Sequence, residues 1–453
     1  MTAARSHLFA AVRHPCEPKL LFLRTDRDWR LPHVLVRDAV WGANAKVIVP
    51  ALERRLRTRL WLLRLVHETE AEATKRIEAI FELEVLDPDW VAPGHGRWAG
   101  RSELAALRLR DEEQRPILDS YLDALERGDV PEPRPAWARP GWLPEVREWI
   151  EQEAARLGLN VVGVEQVKHW SISSVLRIDT DGPDLYFKVP TRLPLFVDEA
   201  RVTARLAERF PDHVPAPLSV EPAHGWLLLA AFDELFTFAA PVAVRMESLG
   251  RFARLQRRTS ELVDELLADG CLDRRLDVLE TQIDPLVNDP EAVARLTPEE
   301  VTELRRLAPT LKELCRRLAG VGLPSTLVHG DLHMLNVARL DGRLVYFDWS
   351  DACIAHPFID LLSLEWEKDE ASRMALLDAY LEAWQGVETV ERLREAADLA
   401  TVVIPLHHAV SYQHIVAGLE PAAKPELDAT AGFLRRVLRA VEALGTAESA
   451  QKS

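Results

Sequence analysis

The chain reads as an α+β protein with two lobes, one small and strand-rich and one large and helical, preceded by a separate α/β domain. Three observations predict this. Val161 to Val189 breaks into three strand-like runs separated by turn residues, Ser171 to Ser174 and Asp181-Gly182. From about Val242 apolar residues recur at helical spacing. Within those helices Thr326 to Asp360 changes character, with two β-forming runs flanking Asp341-Gly342.

A length of 453 residues predicts roughly two to three domains. Residues 1–127 read as the leading α/β domain. Lys19 to Arg24 is a strand, Trp29 to Pro32 a turn, Val47 to Leu65 a helix and then a strand, Ala79 to Leu86 a strand, and Ser102 to Leu107 and Glu112 to Arg127 are helices. The run 128–144 holds Pro131, Pro133, Pro135, Pro140 and Pro144. Proline fixes φ and lacks the amide donor, so this stretch reads as an extended, semi-rigid linker with Trp137 and Trp142 packing against a domain. The small lobe follows over 145–233, opening on an amphipathic helix from Leu143 to Leu157. Trp226 to Phe232 reads as a buried strand entering the lobe junction. The large lobe spans 234–446, with helices at 245–256, 261–267, 298–318, 371–384, 389–409 (kinked or split at Pro405) and 427–444; 447–453 reads as a disordered tail.

A net charge of −16 argues against a nucleic-acid partner or an anionic membrane surface. No apolar run approaches the roughly 20 residues that span a bilayer. Cys16, Cys271, Cys315 and Cys353 are scattered without a CxxC pair and read as reduced thiols, which with the absence of a signal-like N-terminus points to a cytoplasmic protein. The oligomeric state is not legible.

The chemistry concentrates in TLVHGDLHMLNVARLDGRLVYFDWSDACIAHPFID, Thr326 to Asp360. Asp-Gly between β-formers predicts a two-residue hairpin turn. Leu340 then faces Arg343, Asn336 faces Phe347 and Leu335 faces Asp348, so Asn336 and Asp348 emerge at one open end beside the loop that holds Asp331. Two carboxylates and an amide are hard oxygen donors of the kind Mg²⁺ takes together with waters and substrate phosphates. His329 and His333 are four apart, but Gly330 breaks a helix there and no zinc pair follows.

HGDLHMLN followed by YFDWSDA, HP and IDL resembles the aminoglycoside phosphotransferase family, a protein-kinase-like fold shared with choline kinases. His333 stands where protein kinases commonly carry a Lys. The resemblance implies Asp331 as the catalytic base, Asn336 and Asp348 as Mg²⁺ ligands, and His329 and Asp360 as braces of the loop. It further implies Lys188, in YFKVP, as the phosphate-contacting lysine aimed by Glu199, with Asp198 the runner-up partner. Where kinases have a Gly-rich loop this chain has Ser171, Ser173 and Ser174, which would cover the phosphates. Backbone groups near Ala230 to Asp233 would read the base, with ATP and GTP both open. The implied activity is transfer of the γ-phosphate to a hydroxyl of a small molecule, aminoglycoside-like, amino alcohol or sugar; the alternative is a catalytically weak regulatory nucleotide-binding protein. A protein acceptor is disfavoured because HPFIDLL follows DWSDA almost at once. Candidates for acceptor contact are His407, His408, Tyr412, His414, Glu420, Glu365, Trp366 and Glu367.

The order LLFLR, WRLP, Arg-rich helix, strand, GRWAGRSELAAL is similar to a Nudix domain. Where that family needs glutamates on a helix, Glu53 to Leu60 is cationic, with Arg54, Arg55, Arg57 and Arg59, so the resemblance implies a non-catalytic accessory domain.

Overall fold

Within Arg5–Val12 the run Leu8 to Val12 is apolar throughout, and the segment forms β1, an inner strand of the first N-terminal sheet. Leu8, Ala10 and Val12 enter one core cluster and Phe9 and Ala11 another on the opposite face. A strand covered on both faces carries no alternation of polar and apolar residues, so period-two reading passes over it. The computed structural model describes residues 5–36, 45–71 and 76–451. It divides into two compact units, Met1–Thr191 with Leu419–Leu427, and Arg192–Gly418 with Asp428–Ser453.

In the first unit, β2 is Leu20–Arg24, β3 Trp29–Arg30, β4 His33–Val36, α1 Ala45–Leu56, β5 Leu60–Ala71, β6 Arg76–Val85 and β7 Gly96–Ala99. One sheet has the order β4-β1-β6-β5, with β1 and β6 parallel; the other is β3-β2-β7. Trp29-Arg30, expected as a turn, is thus a short strand paired with Leu23 and Arg24. Ile48, Leu52 and Leu56 of α1 cover one face of the first sheet, and Leu118 and Leu122 of α3 (Arg115–Arg127) the other. The short α2 (Arg101–Leu104) precedes α3. Arg54, Arg55, Arg57 and Arg59 are all exposed.

The first unit also takes in 128–144, expected as a linker. Trp137 and Trp142 are buried there, and α4 begins at Trp142 and runs to Arg156. Strands β8 (Val161–His169), β9 (Ser173–Thr180) and β10 (Leu185–Pro190) follow as an antiparallel set. They are tied to β5 by side chains that imitate a strand ladder. Gln166 accepts from Leu62 N at 2.9 Å and donates to Leu62 O at 2.8 Å, and His169 Nε2 donates to Leu63 O at 3.2 Å. The short helix α12 (Lys424–Leu427) belongs to the same unit.

The second unit is mostly helical. It contains α5 (Glu199–Arg209), β11 (Ser219–Glu221), β12 (Trp226–Ala230), β13 (Glu234–Leu235), α6 (Val242–Thr259), α7 (Val263–Asp269), β14 (Leu272–Asp273), α8 (Leu276–Asn288), α9 (Pro298–Ala319), β15 (Thr326–Val328), β16 (Val337–Leu340), β17 (Arg343–Tyr346), β18 (Cys353–Ala355), α10 (Glu370–Leu381), α11 (Val390–Ala417) and α13 (Thr430–Gln451). Phe252, Tyr346, Trp349, Phe358, Tyr380 and Trp384 are fully buried at its centre. Two three-stranded sheets, β13-β16-β17 and β14-β18-β15, hold the loop between β15 and β16. α8 was not foreseen. α11 continues through Pro405 as one element, so it is not split there. α13 extends to Gln451, and 452–453 lie outside the described residues.

Candidate active site

The turn between β16 and β17 has Asp341 at φ 50° and Gly342 at φ 73°, the paired left-handed residues of the expected hairpin. The register is Leu340 opposite Arg343 and Val337 opposite Tyr346, and one step outward Phe347 N donates to Asn336 O at 3.1 Å. Asn336 and Asp348 therefore leave the hairpin together. Asn336 Nδ2 donates to Asp331 O at 2.9 Å and to Asp331 Oδ2 at 3.2 Å. With its NH₂ fixed on Asp331, the amide has Oδ1 left for a cation. Asp348 adopts φ 68°, a costly conformation for a residue with a Cβ. Ser350 Oγ lies 3.5 Å from Asp348 Oδ1 and donates to Glu199 Oε2 at 2.7 Å.

The loop carrying Asp331 is braced from beneath. Buried Asp360 accepts from His329 N and Gly330 N, both at 2.9 Å, and from Gln256 Nε2 at 2.8 Å. His329 Nε2 donates to Phe347 O at 3.0 Å, so its Nδ1 faces Asp331 N, 3.4 Å away, as an acceptor. Gly330 sits at φ 83°, and a Cβ there would stand 2.5 Å from Asp351 O. Burial, reinforced by Asp331, pushes the Asp360 carboxyl up to about 7 against its three donors. Burial also pushes Asp331 upward, but His333, His329 and His408 outweigh it and hold the carboxyl well below the usual range. His333 Nε2 lies 3.4 Å from Asp331 Oδ2, and that carboxylate raises the His333 pKa despite burial.

Asp198 is the N-cap of α5, accepting from Arg201 N at 3.2 Å, and Glu199 is the buried first residue of the helix. Lys188 is buried in β10 of the first unit. The serine turn departs from expectation. Ser171 donates through N and Oγ to Glu426 Oε2 at 3.2 and 2.8 Å, Ser173 Oγ accepts from Trp170 Nε1 at 2.8 Å, and Ser174 Oγ donates to His169 Nδ1 at 2.9 Å. All three hydroxyls are thus committed within the first unit, because β9 begins at Ser173 and turns its start toward β8. A phosphate cover built from this turn would have to exchange these bonds for phosphate oxygens.

Of the C-terminal candidates, Glu420 is salt-bridged to Arg134 at 2.8 Å in the first unit. His407 is buried, its carbonyl accepting from Arg274 Nη2 at 3.1 Å. His408 and Tyr412 both stack on Phe433, and Asp331 raises the pKa of each, although burial dominates and holds His408 down. His414 is only part-buried and feels Arg274 and Asp289. Sequence reading missed Phe238, whose ring meets His333 edge-to-face at 5.4 Å; a lone Phe in a loop carries no signal of it. Among the described residues no three or more His, Cys, Asp or Glu side chains converge as a metal site. Asn336 Oδ1 and the Asp348 carboxylate fit Mg²⁺ nonetheless, since that ion keeps waters and takes phosphate oxygens besides one or two protein ligands.

The loop carrying Asp331 is thus followed by a hairpin with an amide and a carboxylate at its open end, the order of parts in the kinase-type phosphoryl-transfer template. The phosphotransferase enzyme family model (APH) matches residues 163–396, more than half of the 453, and the chain belongs to that family. It is by that membership a small-molecule phosphotransferase acting on an alcohol group, on an α+β kinase-like fold. Among solved structures, the chain is similar to choline kinase LicA from Streptococcus pneumoniae (14% identity, 67% of this chain and 99% of that one, TM-score 0.48). It is also similar to macrolide 2'-phosphotransferase MphH from Brachybacterium faecium (21%, 62% and 97%, TM-score 0.42) and to a putative fructosamine-3-kinase from Thermobifida fusca (22%, 63% and 98%, TM-score 0.42). No curated protein matches the chain. Among the described residues no helix is long and apolar enough to cross a membrane.

Proposed function

We propose that the chain transfers the γ-phosphoryl group of ATP or GTP to a hydroxyl of a small hydroxylated molecule. The observation that supports this reading is the bond from Asn336 Nδ2 to Asp331 Oδ2 at 3.2 Å, which brings the candidate base beside one of the two candidate metal ligands. Asp331 accepts the acceptor's hydroxyl proton as the acceptor oxygen forms its bond to the γ-phosphorus. The bond from that phosphorus to the β–γ bridging oxygen breaks, and the nucleoside diphosphate leaves. The Asp331 carboxyl is held below the usual range against its burial, His333 first among the causes, and it acts chiefly by orienting the hydroxyl. Asn336 and Asp348 would hold Mg²⁺, which when bound neutralises phosphate charge. The family resemblance assigns Lys188 to the phosphates and Glu199 to its orientation.

The test is Mg²⁺-dependent transfer from ATP and from GTP to a panel of aminoglycosides, amino alcohols, sugars and nucleosides. Asp331→Asn should lower kcat by about 10²-fold or more, in the range general-base removal produces, with nucleotide affinity kept. Asp348→Asn should weaken Mg-nucleotide binding as well. Wild-type rates in either variant would overturn the assignment, and nucleotide binding without transfer to any acceptor would favour a regulatory role.

A further inference from the structure

Beside the proposed base the second unit exposes aromatic rings that its core does not use. Phe238 is 56% exposed and Trp366 39% exposed, and neither belongs to the buried cluster. Their centroids lie 5.6 Å apart edge-to-face. Both meet His333, at 5.4 Å and 5.9 Å, and His333 is itself 3.4 Å from Asp331. Three rings from three separate segments therefore converge within one side chain of the carboxylate that would receive the acceptor's proton. Solvent-facing aromatics gathered at a polar centre are what a bound molecule with an apolar face would cover.

The charges around this platform narrow the molecule. The two carboxylates flanking Trp366 in sequence are already paired, Glu365 with Arg436 at 3.4 Å and Glu367 with Arg245 at 2.5 Å. A polycationic amine would find neither carboxylate unpaired, and it would have to sit beside His333. A π-face also attracts a single ammonium, but the carboxylate nearest the platform, Asp331, is already engaged by His333 at 3.4 Å. The C–H face of an uncharged ring needs no free carboxylate.

We propose that Phe238 and Trp366 form the acceptor platform, selecting an uncharged hydroxylated ring with a C–H face over amine-bearing acceptors. The inference rests on the phosphotransfer reading for its geometry, since Asp331 fixes where the reacting hydroxyl points.

Two measurements on the full chain test it. Steady-state transfer is compared across neutral sugars and nucleosides, amino alcohols and aminoglycosides, and binding of the same panel is measured by calorimetry, which needs no turnover. Phe238→Ala and Trp366→Ala should each weaken the best neutral ring by about 10-fold, equivalent to ~1.4 kcal/mol, in both KM and Kd, with nucleotide KM within about two-fold. Trp366→Phe should recover most of the loss, which a variant that merely unfolds would not. Preference of the wild type for amines, or unchanged acceptor Kd in both folded alanine variants, would overturn the platform. Neutral rings that bind through Phe238 and Trp366 but are never phosphorylated would keep the platform and sink the phosphotransfer reading instead.

Discussion

Two residues set the conformation of the active loop by occupying backbone space that most side chains avoid. Gly330 at φ 83° packs its Cα against Asp351, where a Cβ would come within 2.5 Å of a carbonyl oxygen. Gly330→Ala is expected to cost at least ~2 kcal/mol, because both strain and overlap must be relieved by moving the loop. Urea denaturation reads the loss, and transfer should fall with it. Asp348 holds the same left-handed region without being glycine. Asp348→Gly should keep the unfolding midpoint, since it removes strain along with the carboxylate, and should abolish the metal-dependent part of nucleotide affinity. A variant that kept that affinity would show that the carboxylate is not a ligand. The functional consequence of this strain is that the carboxylate is aimed by the backbone rather than by a chosen rotamer.

At the scale of elements, what could be read from the sequence depended on how local the cause was. The β16–β17 hairpin was legible to the register, because Asp341-Gly342 fixes the turn and the turn fixes every pairing after it. The brace by Asp360 was legible only through family resemblance, since its partners are backbone amides thirty residues away. The partners of the serine turn were not legible, because a hydroxyl reads alike whether it meets a phosphate, an indole or a half-buried carboxylate. β13, two residues long, and β1, buried on both faces, carry no periodic signal. The joining of β8 to β5 was likewise invisible, being made by the side chains of Gln166 and His169. Gln166→Leu should leave Leu62 N and O unsatisfied and destabilise the first unit by about 1–3 kcal/mol. Hydrogen exchange should show faster opening at Leu62 and its neighbours, while unaltered protection there would mean the two sets of strands are held by packing alone.

For the molecule as a whole, two carboxyls far apart in sequence give stability a shared pH dependence. Burial raises Asp360 from 3.8 to about 7 and Glu426 from 4.5 to about 7. Between those limits these two carboxyls bind protons in the folded chain that the unfolded chain has lost, so their contribution to stability falls as pH rises from about 4 to 7. Buried His169, His356 and His408, pushed down to about 4, 3 and 4, contribute in the opposite sense. Glu426→Gln and Asp360→Asn should each remove a share of the falling contribution and raise the midpoint at pH 7.5 relative to that at pH 5. Denaturation midpoints at pH 5 and 7.5 measure it, and an unchanged slope in both variants would place the titration elsewhere.

The residues of α12 lie late in the sequence yet belong with the first unit, so the chain passes between the two units three times, after Thr191, Gly418 and Leu427. Glu426, which holds the Ser171 backbone and hydroxyl, travels with that late segment. A single protease nick near residue 191 should therefore leave a particle that migrates intact until denatured. Shortened genes ending near 130 or 191 would encode a first unit missing its last piece, while full-length chains cut at that point should still reassemble from their two fragments.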